Sequence, residues 1–152
     1  MNLLDPPKIF NMTINQISIF LENKFGRLNE ILSILSKENI RVLTATVADT
    51  SDYGILRLIT SNQHKVIQLL KEHGVSANLN SVLAVSVDSS MEKFAETIEL
   101  FTRAGISIEY MYSFSFSGKT ILILRTNNID AANDVIRRYN LDNLSETELN
   151  NL

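Results

Sequence analysis

Several residue types in this chain could do chemistry, and their spacing decides what that chemistry would be. His64 and His73 lie nine positions apart in one predicted helix. At about 100° per residue they point to opposite sides, so they cannot share a metal, and both read as surface residues. Glu92, Glu96 and Glu99 fall on one helix face. They read as a solvated charged face rather than a pair of catalytic carboxylates. The absence of Cys removes zinc–thiolate sites, disulfides and a cysteine nucleophile. Neither GxxxxGK[ST] nor GxGxxG occurs, so no phosphate-cradling loop is expected. No catalytic constellation can be built, and no metal or cofactor is expected. Tyr110, Tyr112 and Phe114 alternate on one strand face, as base-stacking aromatics would. The strands at Ile55–Ile59 and Ile121–Leu124 carry no aromatic residue, however. Fourteen Lys and Arg against 17 Asp and Glu give a net charge of −3. Nucleic acid is therefore not an expected partner.

The elements that would position these residues come as a repeat. Ile40 and Ile106 open similar stretches, an offset of 106 − 40 = 66. That offset also pairs Leu21 with Val87, Leu58 with Leu124 and Leu70 with Ile136. In the first copy, Gln16–Leu21 alternates as a strand. Arg27–Asn39 follows as a helix, with Leu28, Ile31, Leu32 and Leu35 as its apolar stripe. Ile40–Ala48 and Ile55–Thr60 read as strands around the turn cluster Asp49–Gly54. His64–His73 is a second helix, stopped by Gly74, and Val75–Leu79 a last strand. The second copy gives Val82–Val87, Met91–Ala104, Ile106–Phe114, Thr120–Arg125, Ala131–Tyr139 and a weak Leu141–Leu144.

Each copy is thus β-α-β-β-α-β, an α+β, ferredoxin-like unit whose antiparallel sheet carries both helices on one face. The expected organisation is an N-terminal extension at 1–12, a first unit at 13–80 and a second at 81–152. Leu79–Val87 could run unbroken from one unit into the next. Ser145–Glu148 carries a capping-box signal for a short final helix. No run of 18 apolar residues suggests a membrane span, and Met1–Phe10 lacks the features of a signal peptide. A cytoplasmic protein with no membrane partner is expected.

Leu21-Glu22-Asn23-Lys24-Phe25-Gly26-Arg27-Leu28, followed by Asp49-Thr50-Ser51-Asp52-Tyr53-Gly54-Ile55-Leu56-Arg57-Leu58, resembles an ACT domain. ACT domains are small regulatory units that bind amino acids. With Glu109-Tyr110-Met111-Tyr112-Ser113-Phe114, the chain is similar over roughly residues 14–150 to free-standing tandem-ACT proteins. The resemblance implies a non-enzymatic amino-acid sensor or regulatory subunit of a metabolic enzyme. It implies a ligand held between units, against Asn23–Leu28 and Glu109–Ser113, with Thr44–Ala48, Thr46 among them, as a further wall. The alternative is an interaction module that has lost its ligand.

The physics of such a site fits the strand-to-helix turn. A ligand carboxylate needs convergent backbone N–H groups, which a helix N-terminus supplies. Asn23, Lys24, Phe25, Gly26, Arg27 and Leu28 form that turn. Gly26 serves either the turn itself or close ligand approach, and Asn23 is either the helix cap or a contact. Asp49, Asp52 and Glu109 are candidate acceptors for the ammonium, or else turn formers and an exposed strand residue. Arg27 and Arg57 read as solvated or paired with nearby acids. Tyr110, Met111 and Tyr112 would wall a pocket, or the tyrosines would cover a sheet face where units meet. At the 66-residue offset Glu92 replaces Gly26, and Ser89 with Glu92 reads as a capping box. One dominant ligand site per chain is therefore expected. Open sheet edges and exposed aromatics also predict a homodimer.

Overall fold

The computed structural model describes residues 12–49 and 52–151, with the side chain of Asp49 excluded. Residues 1–11 of the expected extension, together with Thr50 and Ser51, lie outside the described residues. The elements are β1 (Thr13–Glu22), α1 (Arg27–Ser36), β2 (Val42–Asp49), β3 (Tyr53–Thr60), α2 (Gln63–Glu72), β4 (Ala77–Asp88), α3 (Met91–Arg103), β5 (Ile108–Phe116), β6 (Lys119–Thr126), α4 (Ile129–Arg138) and α5 (Glu146–Asn150). Both ferredoxin-like units are present, but they share one antiparallel sheet of six strands, ordered β2-β3-β1-β4-β6-β5. The boundary at 80/81 falls inside β4, which serves both units without a break.

Strand alternation assigns the two faces. Ile17, Ile19 and Leu21 of β1 pack with Ile31 and Leu35 of α1 and Val66 and Leu70 of α2. Leu83, Val85 and Val87 of β4 pack with Phe101 of α3 and Val135 and Ile136 of α4. Ala77 and Leu79, on the same side of β4, join the first core, so both helix pairs cover one face. The opposite face carries its own cluster, including Ile14, Ile59, Val82, Ala84, Ile121 and Ile123. There the sheet folds on itself: Tyr112 of β5 donates to the Gln16 side chain of β1, and Tyr110 of β5 meets Arg57 of β3. This inner face is where the two units meet.

The last strand of the second unit is reduced. In the first unit Ile19 pairs with Ala77, and Phe20 N donates to Ser76 O. At 66 residues' offset Val85 pairs with Asn143, and Ser86 N donates to Asp142 O. Beyond Leu144 the chain leaves the sheet and forms α5. The edge of β4 that this strand would occupy is taken by the start of β1, with Thr13 opposite Leu83. Leu149 of α5 is 2% exposed and belongs to the inner cluster. A five-residue helix does not persist alone, so tertiary contacts must hold it. Glu146 Oε1 accepts from Asn15 N (2.6 Å), and Asn150 O accepts from Arg41 Nη2 (2.8 Å). The capping box is present: Ser145 Oγ accepts from Glu148 N, and Glu148 accepts from Ser145 N.

Local expectations shift in three places. Helix α1 stops at Ser36 and β2 begins at Val42, short of the predicted Asn39 and Ile40. Of the predicted α1 stripe, Ile31 and Leu35 are buried while Leu28 and Leu32 are exposed, because no neighbouring element covers them. Gly74 does end α2, at φ +69°.

Candidate functional site

The β1–α1 turn is built by Gly26, which is the N-cap of α1 at φ +80°. A left-handed cap is natural for glycine, and among the described residues no heavy atom outside its neighbours lies within 4 Å of where a Cβ would sit. Asn23 is therefore not the N-cap. Lys24 O instead accepts from Arg27 N (3.1 Å), closing the turn. As a glycine, the N-cap has no side chain with which to cap α1. The other four helices are capped by Asn62, Ser90, Asn128 and Ser145. Helix N-termini expose donors and carry about half a positive charge. Arg27 adds a side chain whose Nη1 reaches Glu30 (3.3 Å) while its Nε is enclosed without a partner. Asn23, Lys24 and Phe25 are exposed, and Asp52 is exposed near the start of β3.

The corresponding turn in the second unit differs from its sequence reading. Helix α3 is capped by Ser90, which accepts from Lys93 N (3.2 Å), not by Ser89 with Glu92. Ser89 Oγ is engaged instead with Thr120 Oγ1 (2.9 Å). The helix starts are 91 − 27 = 64 residues apart, so Ser90 rather than Glu92 is the counterpart of Gly26. Glu92 occupies the first turn. Asp88 sits in an ion pair with Lys119, and the Lys119 ammonium holds its carboxyl below the ordinary value.

The predicted residues of β2 and β5 divide between two faces. Thr46 stands opposite Arg57 in register, and hence on the inner face. Tyr110 and Tyr112 also point inward. Gln16, fully buried, donates from Nε2 to Tyr110 Oη (2.8 Å) and Ser18 Oγ (3.1 Å), and its Oε1 accepts from Tyr112 Oη (2.6 Å). Burial pushes the Tyr112 phenol well up, so it remains a donor. Met111 and Glu109 are exposed on the edge strand. Glu109 pairs with Arg125 Nε (3.5 Å). Arg57 is half-buried and is in no ion pair among the described residues: its guanidinium lies 3.8 Å from the Tyr110 ring centroid. Sequence reasoning passed over Gln16, a polar residue inside a strand whose neighbours are apolar.

Within one chain the turn and the tyrosines do not meet. From Gln16 to Glu22 a strand advances about 20 Å, and α1 then starts on the helix-bearing side. Among the described residues no group of three or more His, Cys, Asp or Glu could hold a metal. No helix there is long and apolar enough to cross a membrane.

A family model described as an ACT domain pair matches residues 12–152. The chain belongs to that family. The crystal structure of a protein from Bacteroides thetaiotaomicron is similar over 93% of this chain and 98% of that one, at 35% identity and a TM-score of 0.87. The ligand-free regulatory subunit of aspartate kinase from Thermus thermophilus is similar over 82% of this ACT pair and 91% of its own chain, at 17% identity and a TM-score of 0.57. The corresponding subunit from Thermus flavus gives 17% identity and a TM-score of 0.54, over 82% and 90%. At that identity the two subunits speak for the fold alone. No curated protein sequence matches the chain.

Proposed function

We propose that this ACT pair is a non-enzymatic regulatory protein that binds a free amino acid, with the Asn23–Leu28 turn as the receptor for the ligand's carboxylate. The observation that carries this reading is the start of α1: a glycine N-cap, no side-chain cap, and open space over Gly26. Backbone N–H groups left without a protein partner suit a carboxylate. The second wall comes from another ACT unit. Tyr110 and Tyr112 are engaged on the inner face, so Glu109 and Met111 of edge strand β5 are the residues open to a second copy of the chain. The assembly is then a homodimer acting on a metabolic enzyme in the cytoplasm.

A thermal-shift screen of the free amino acids tests this. A binder raises the unfolding temperature in proportion to RT ln(1 + [L]/Kd). A screen in which none does so sinks the reading. One observation favours an interaction module in that event: Phe25 is fully exposed, beside the exposed Leu28 and Leu32. Retention of a partner protein that is lost on Phe25→Ser would then identify that role.

A further inference from the structure

The two halves of the fold supply a comparison inside one molecule. On the inner face of the first unit, Thr46, Arg57, Ser18 and Asn78 form one row across β2, β3, β1 and β4, each opposite the next in register. Moving by 66 residues gives Tyr112, Ile123, Ala84 and Leu144. These also form one row: Tyr112 faces Ile123, Ile123 faces Ala84, and Leu144 N donates to Ala84 O. The second row is core, with Ile123 and Ala84 fully buried and Tyr112 and Leu144 packed against that cluster. The first row is wholly polar at matching positions.

Enclosing polar groups costs free energy unless they are satisfied, and Arg57 is not. Its residue is half-buried, its Nε is enclosed with no hydrogen-bond partner, and no described carboxylate pairs with it. Glu109, the acid next to Tyr110, is occupied by Arg125. The contact that holds Arg57 is the face of Tyr110. Lying over the ring leaves the two Nη groups of the guanidinium for a planar anion. Thr46 and Ser18 flank it on the row, and Asn78 follows beyond Ser18; Thr46 offers a hydroxyl and Asn78 an amide.

We infer that this polar row, where Tyr110 lies over Arg57, is a carboxylate site with Arg57 as its receptor. Its ligand is a small-molecule carboxylate, held by paired hydrogen bonds from the guanidinium. The site is separate from the α1 turn and does not rest on that turn's binding an amino acid. A local departure from the core pattern, at one of two equivalent positions, is where a functional constraint is expected to show.

The test is an NMR titration of the full chain, labelled with nitrogen-15, with sodium acetate against sodium chloride at equal ionic strength. The Arg57 Nε–H signal and the Thr46 and Asn78 amides should shift saturably with acetate and not with chloride. Arg57→Ile, which installs the residue of the equivalent position, should remove the response while the spectrum stays dispersed. Arg57→Lys, which keeps the charge but loses the planar fork, should weaken it and serves if the isoleucine variant does not fold. Shifts identical in acetate and chloride would overturn the inference. So would a Thr46 and Asn78 response that persists unchanged in either variant.

Discussion

Gly26 and Gln16 show how differently single residues constrain this fold. Gly26 sits at φ +80° with space around it, so the backbone angle rather than crowding selects glycine. Asn tolerates this region far better than most residues. Gly26→Asn should therefore keep a folded protein and keep ligand affinity within a few-fold. Gly26→Asp adds a like charge where the ligand carboxylate would sit and should abolish binding by calorimetry, with an unchanged circular dichroism spectrum. Equal affinity in the two variants would remove the turn from the site. Gln16 depends on partners instead. Tyr112→Phe deletes the donor to its buried Oε1 and should cost about 1–3 kcal/mol in denaturant unfolding, because an enclosed acceptor is left unpaired.

At the scale of elements, α5 is the piece most dependent on its surroundings. Leu149 anchors it among Ile14, Ile59 and Val82 of the inner cluster, while Glu146 and Asn150 reach residues of the first unit. Leu149→Ala should destabilise the protein by about 2–4 kcal/mol. It should also speed hydrogen exchange of the Asn15 amide, whose acceptor Glu146 is on the same helix. An unchanged Asn15 rate would mean that α5 stays docked without Leu149. The helix was legible in the sequence through Ser145 and Glu148, because a capping box is local chemistry. The repeat was legible too, since the 66-residue offset carries through both Asn62 and Asn128 as N-caps.

What escaped depended on distant partners. Asn80 and Ser81 fall between the predicted strands Val75–Leu79 and Val82–Val87, a gap that an unbroken Leu79–Val87 would close. The strand runs through them as β4, with Asn80 facing the polar part of the inner surface, where it accepts from Ser18. The spacing to Glu92 points to Ser89 as the cap, but Ser89 pairs with Thr120 and leaves the cap to Ser90. The candidate turn was found because it is a local strand–glycine–helix signal. The inner network of Gln16 was missed because its members are up to 96 residues apart.

At the scale of the whole molecule, the shared β4 makes the two units rigid neighbours but not equals. Their first helices start differently. The start of α1 has a glycine cap without a side chain, whereas the start of α3 is closed by Ser90 and has Glu92 in its first turn. A carboxylate about 5 Å from Glu92 would be repelled by roughly 3 kcal/mol at an effective dielectric of 20, an upper figure for a surface site. Even a third of that lowers affinity several-fold. One amino-acid site per chain is therefore expected, placed at the first unit and completed by β5 of a second copy. Calorimetry should give one site per chain, and light scattering a dimer mass at micromolar concentration. The two measurements are linked: if the partner supplies a wall, dilution that dissociates the dimer should weaken binding, and saturating ligand should hold the dimer together. Two equivalent sites per chain would overturn the distinction between the helix ends. Ligand affinity independent of protein concentration across the dissociation range would instead confine the site to a single chain.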